Sequence, residues 1–368
     1  MRCSRVILIL SPILALLGWW GWNGMRDPGE PSAPPAAASV RPAASRGPDP
    51  AAWRPGPNRE ATAASLAVLA ESLRKMPADD AVALIRDFLA SGRDQVTGMD
   101  LAIEAGNHLT AWPSLRVFLL DQLAAIDPTA AAEISTDILA TPTTPDEWAV
   151  AMRNIGRTAV DSETRAMLRS KTEELIRDPK WRERPTVGYL NAFDILVHVG
   201  AVESQPLLSS LVCDKARRDL AHASFLTLDR LVQRQPAAML RTLAVDDTLH
   251  AARPEMTAQM FARADLRDAA QQQVLREWLL APTRTALELD TFAASFPNNN
   301  QMVSQNLLTS DLTWSGADLL DRDRKTLAIL REWRIRPEFA PLAARLATAE
   351  QRLLSMQIPP ESQPPAKP

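Results

Sequence analysis

The sequence predicts an all-α protein that follows a short N-terminal membrane segment, and three observations carry that reading. Alanine and leucine dominate the apolar residues, and both keep their rotamer freedom in a helix. From Glu60 to Gln357 amphipathic stretches follow one another, each punctuated by proline, glycine or a capping residue. Tyr189 is the single tyrosine, β-branched runs are scarce beyond the N-terminus, and no hairpin dipeptide is read between alternating apolar runs. Strands, which favour β-branched and aromatic side chains, are therefore not expected.

Arg2 and Arg5 precede an uncharged run from Val6 to Trp22 that includes Leu10, Leu14 and Leu17. Its length is at the lower limit for spanning a hydrocarbon core of about 30 Å. Positive charge ahead of it places the N-terminus in the cytoplasm, and Trp19, Trp20 and Trp22 suit a membrane–water interface. Residues 1–24 are expected to be a signal anchor or a signal peptide. The anchor is preferred because the Trp22 indole stands where signal peptidase requires a small residue. Cys3 lies ahead of the apolar run, so no lipoprotein signal is present, and Cys3 and Cys213 would be separated by the bilayer.

Residues 25–59 are crowded with proline and alanine and are expected to form a disordered tether reaching on the order of 100 Å. Residues 60–357 form the helical body, and residues 358–368 are expected to be a disordered tail. With no glycosylation sequon and arginine far outnumbering lysine, a bacterial source is favoured. The expected location is the bacterial inner membrane, single-pass, with the body periplasmic, or secreted into the periplasm if the segment is cleaved.

Within the body, Val82, Ile85 and Leu89 form a stripe over 81–90, and Leu115, Phe118, Leu119 and Leu123 another over 115–126. Asp127-Pro128 reads as a cap followed by a proline at the first helical position. Thr144-Pro145-Asp146-Glu147 reads as a capping box, in which Thr144 receives the Glu147 N–H and Glu147 reaches back to the Thr144 N–H. Further helices are expected at 161–177, 185–199, 204–213, 216–234, 236–245, 255–263, 266–280, 283–295, 316–333 and 338–357.

Leu120-Asp121-Gln122-Leu123 with Pro128-Thr129-Ala130 is echoed by Leu228-Asp229-Arg230-Leu231 with Pro236-Ala237-Ala238. Each copy is an amphipathic helix, a proline and an alanine-rich helix. The pattern resembles the helical hairpin of HEAT-type repeats. That resemblance implies an α-solenoid or an irregular multi-helix array, with a compact multi-helix domain or α/α barrel as the alternative.

The net charge is -3 and acids interleave with bases, as in Asp321-Arg322-Asp323-Arg324, so a nucleic-acid partner is not expected. The four histidines form no metal-binding spacing, and no phosphate-cradling glycine loop or nucleophile elbow occurs, so no metal and no cofactor are expected. Ser72-Leu73-Arg74-Lys75 matches a Ser-x-x-Lys string but lacks its companion motifs. Asp194 one turn before His198 is the best candidate for general-base chemistry, against the plainer reading of a histidine stabilised at a helix C-terminus. Asn298, Asn299 and Asn300 form a polar loop that is either a binding loop or a helix connection. The leading functional expectation is a membrane-tethered scaffold that binds a protein or peptide. The alternatives are a cell-envelope hydrolase or lyase acting on wall polymer or peptide, and a chaperone-like holder of exported chains.

Overall fold

The computed structural model describes residues 48–158, 161–300 and 306–356. The chain divides into Met1–Arg46 and Gly47–Pro368, and every described residue belongs to the second unit. The expected anchor, with Val6, Leu10, Leu14, Leu17, Trp19, Trp20 and Trp22, lies outside the described residues, as do the tail and most of the tether. Among the described residues no helix is long and apolar enough to cross a membrane.

The described body is all-α apart from one hairpin. Helices α1 (Arg59–Lys75) and α2 (Ala78–Ala90) lead into strands β1 (Ala102–Glu104) and β2 (His108–Ala111). Then follow α3 (Leu115–Ile126), α4 (Pro128–Ile138), α5 (Pro145–Gly156), α6 (Ser162–Arg177), α7 (Pro179–Glu183), α8 (Val187–Asn191) and α9 (Asp194–Val199). The chain continues through α10 (Gln205–Cys213), α11 (Arg218–Arg234), α12 (Pro236–Ala244), α13 (Asp247–Ala252) and α14 (Pro254–Phe261). It closes with α15 (Ala269–Leu280), α16 (Ala286–Ser295), α17 (Gly316–Arg334) and α18 (Ala343–Met356). Contacts run mainly between helices close in sequence: α3 with α4 and α5, α5 with α9, α9 with α11, α14 with α16 and α17 with α18. Leu66, Leu115, Leu120, Leu196, Leu231 and Leu275 are fully excluded from solvent in one continuous apolar cluster. Each such leucine contributes roughly 1.5–3 kcal/mol of burial.

The helix starts follow from capping chemistry. The Asp127 carboxylate accepts the N–H groups of Thr129 at 2.9 Å and Ala130 at 3.0 Å, and Pro128 fills the first helical position of α4. Asp127→Ala is expected to cost about 1 kcal/mol, read as a shift in the urea midpoint with an unchanged slope. Thr144 Oγ1 accepts the Glu147 N–H at 3.2 Å as expected, but the Glu147 carboxylate is taken by Arg116 of α3 instead of closing the box. The capping box occurs at the start of α16, between Thr285 and Glu288. A buried arginine outcompetes a backbone amide for a carboxylate, because leaving that arginine unpaired in the core costs more than an exposed N–H does.

Three other expectations are corrected. The strands not expected from composition are present, with Ile103 opposite Leu109 and Glu104 opposite His108. They are joined by the three residues Ala105, Gly106 and Asn107, the last two at positive φ (80° and 66°), and the Asn107 N–H donates to the Glu104 carbonyl at 3.1 Å to close the turn. The expected helix over 185–199 breaks into α8 and α9. Asp146 receives the Gly188 N–H at 2.8 Å, and the Tyr189 hydroxyl donates to the Ile176 carbonyl at 2.8 Å, which fix α8 on its own axis. The end of the expected tether is packed, since Pro50 is buried and the Trp53 indole N–H donates to Ser65 Oγ at 3.2 Å.

Candidate functional site

Helices α3, α5, α9 and α11 lie side by side, and largely buried aspartates on α3, α9 and α11 meet largely buried arginines some thirty residues downstream. Asp121 of α3 receives Arg153 of α5, 32 residues on; Asp194 of α9 receives Arg230 of α11 at 2.6 Å, 36 residues on. Asp229 of α11 receives Arg263, just after α14, 34 residues on, through two parallel bonds of which Nη2–Oδ2 is 2.9 Å. Asp121 and Asp229 are the two aspartates of the sequence echo. Paired charges can be buried in this way because each guanidinium spends several donors on its neighbours. Arg230 bonds Thr309, and Arg263 bonds the Asn298 carbonyl at 3.5 Å.

Residues 306–315, which connect to the start of α17 and lie outside any helix or strand, form a strap across this ladder. Asp194 Oδ2 accepts the backbone N–H groups of Leu308 at 2.7 Å and Thr309 at 2.8 Å, while Oδ1 accepts the Thr309 hydroxyl. Arg230 Nη2 donates to Thr309 Oγ1 and stands 3.7 Å from the Asp311 carboxylate, and Arg234 donates to the Ser310 carbonyl at 2.6 Å. From the other side, Asn107 Nδ2 donates to the carbonyls of Asn306 (2.9 Å) and Thr309 (3.1 Å). Leu307 is fully buried, and Leu308 lies so close to the end of α5 that a Cβ on Gly156 would stand 2.5 Å from its Cδ2. Carboxylate, amide and guanidinium groups of two helices and a hairpin thus hold a stretch of backbone.

The Asp194–His198 pair is not arranged as a catalytic dyad. Asp194 is turned to the strap and Arg230, whereas the half-buried His198 donates to the Gly156 carbonyl. Burial is the largest influence on His198 and, with Arg165 and Arg234, takes it below its ordinary 6.5 against the opposing pull of Asp194. An imidazole held neutral in the fold protonates first in the unfolded chain, so stability falls as pH drops below 6.5 toward the lower folded value. His198→Gln is expected to flatten the stability curve on that side; an unchanged slope in urea titrations from pH 7 to 5 would contradict this assignment.

The asparagine loop is a structural corner. The Asn298 N–H donates to the Ala262 carbonyl at 2.7 Å, Asn298 Oδ1 accepts the Asn300 N–H at 3.1 Å, and Asn299 Oδ1 accepts Arg322 at 2.6 Å. These residues border a cavity of about 90 Å³ roofed by Trp314, whose ring faces the guanidinium groups of Arg267 and Arg322. Among the described residues no group of three or more His, Cys, Asp or Glu stands together as a metal site. Sequence reading did not find Asn107, Arg153, Arg230 or Thr309. The Gly106-Asn107 dipeptide and the recurrence of arginine about 34 residues after the echoed aspartates are the signals that point to them.

Comparison with protein-family models, curated proteins and solved structures finds no match to this chain.

Proposed function

We propose that this protein is a helical-repeat scaffold of the α-solenoid kind that binds a polypeptide segment across its Asp–Arg ladder. The strap carries the reading: this face already holds a stretch of main chain through two N–H groups on Asp194 and two carbonyls on Asn107. Main-chain hydrogen bonds of this kind give affinity for polypeptide with little dependence on its sequence, and neighbouring pockets add selectivity. The recurring aspartate-to-arginine spacing supports the repeat. In this reading the apolar run at 6–22 holds the scaffold at a bacterial inner membrane, with the body in the periplasm, and the support for that is the charge and tryptophan pattern of the sequence.

The test uses the full chain in detergent and a labelled peptide with the sequence of residues 306–313. Thr309→Pro removes one of the N–H donors to Asp194 and loosens the strap. The loosened chain is expected to bind the peptide about tenfold more tightly than wild type, whose own strap fills the face. A folded, loosened chain that ignores the peptide at millimolar concentration would sink the proposal.

A further inference from the structure

Beside the strap, α1, β2, α3 and α5 enclose a cleft of about 550 Å³, large enough for a short peptide segment. Its walls include the small Ala67 and Ala70 of α1, and Trp112, whose indole N–H donates to Asp121 at 2.9 Å. Its charge is one-sided. Arg153 and Arg157 of the α5 end line it, with Arg74 at the rim, and Asp121 is the one carboxylate among its lining residues. Arg153 is fully buried, and its Nη1 has no hydrogen-bond partner among the described residues. Arg157 donates to the Asn107 carbonyl at 3.1 Å. Asn107 joins this cleft to the strap, since its side chain binds two strap carbonyls and also borders the cleft.

We infer that this cleft receives an acidic residue of the bound polypeptide, an Asp or Glu side chain placed between Arg153 and Arg157. The inference rests on the scaffold reading above and names the chemistry of its partner. The strap supplies the precedent on the same ladder, where the side-chain carboxylate of Asp311 lies beside Arg230. A carboxylate here meets two neighbouring guanidinium groups, and charge-assisted hydrogen bonds of that kind are about twice as strong as neutral ones.

The test compares two terminally blocked peptides, acetyl-Ala-Ala-Leu-Glu-Ala-Ala-amide and its Gln counterpart, so that the only carboxylate is the side chain. Titrated into the full-length loosened chain, the Glu peptide is expected to bind at least about tenfold more tightly, and the preference to shrink as salt rises. Arg157→Gln, at an exposed position, is expected to abolish the preference while leaving the melting temperature within a few degrees. Equal affinities for the two peptides, or a Glu preference that survives Arg157→Gln, would overturn the inference. In either case binding of the strap-sequence peptide still reports separately on the scaffold reading.

Discussion

Asp194→Ala is expected to lower stability by about 3–5 kcal/mol, the range found when one partner of a buried ion pair is removed. The Asp194 side chain is almost wholly buried and accepts four bonds, from Leu308 N, Thr309 N, Thr309 Oγ1 and Arg230 Nη1. Truncation leaves Arg230 buried with a carboxylate no closer than Asp311 at 3.7 Å and strips two strap amides of their acceptor. The loss is therefore one of uncompensated charge and orphaned donors together. Two measurements separate these contributions. Chemical denaturation gives the total, and hydrogen exchange at the Leu308 and Thr309 amides reports the strap alone. Adding Arg230→Met is expected to recover part of the loss, because an apolar side chain of similar length removes the stranded charge. A double variant as unstable as the sum of the two singles would show that the pair is not energetically coupled.

Trp278→Ala is expected to cost a further large amount, about 3–5 kcal/mol. Trp278 sits in a row of rings, stacked on Phe261 at 4.4 Å and 10° and tilted against Phe292 at 5.6 Å, with Phe296 stacked on Phe292 at 4.7 Å. The Arg284 guanidinium lies 5.7 Å from the indole, and the ring is 2% exposed. Truncation opens a cavity bordered by aromatic faces that cannot close over it without leaving their own contacts. Trp278→Phe keeps most of the stack and is expected to lose much less. A loss below about 1 kcal/mol for the alanine variant, read from urea midpoints, would mean that the row repacks.

Helix positions were legible in the sequence wherever a cap or a proline marks them, because those signals act within one turn. Leu115–Ile126 and Asp127 ahead of Pro128 follow from such local chemistry. What failed depends on partners distant in the chain. Glu147 matched a capping box locally and was claimed by Arg116, 31 residues earlier. The hairpin turns on two residues, Gly106 and Asn107, whose left-handed backbone outweighs the helical composition around them. The Asp194–His198 pairing read from i, i+4 spacing was displaced by strap amides more than a hundred residues downstream. Spacing along a helix puts two side chains near each other but does not show what else approaches them.

The bonds from Asn107 to Asn306 and Thr309 join residues 199 and 202 apart in sequence, in a chain whose helices otherwise meet partners close by. Arrays with only neighbour contacts melt piecewise, because each unit owes its stability to the next. A clasp between early and late segments changes that arithmetic. Closing a loop of this length costs on the order of 5 kcal/mol of chain entropy, so the clasp forms after both ends are built and is lost when either end frays. The clasp thereby ties early and late segments of the described body into one cooperative unit. Whatever displaces the strap would loosen the first helices and the last ones together.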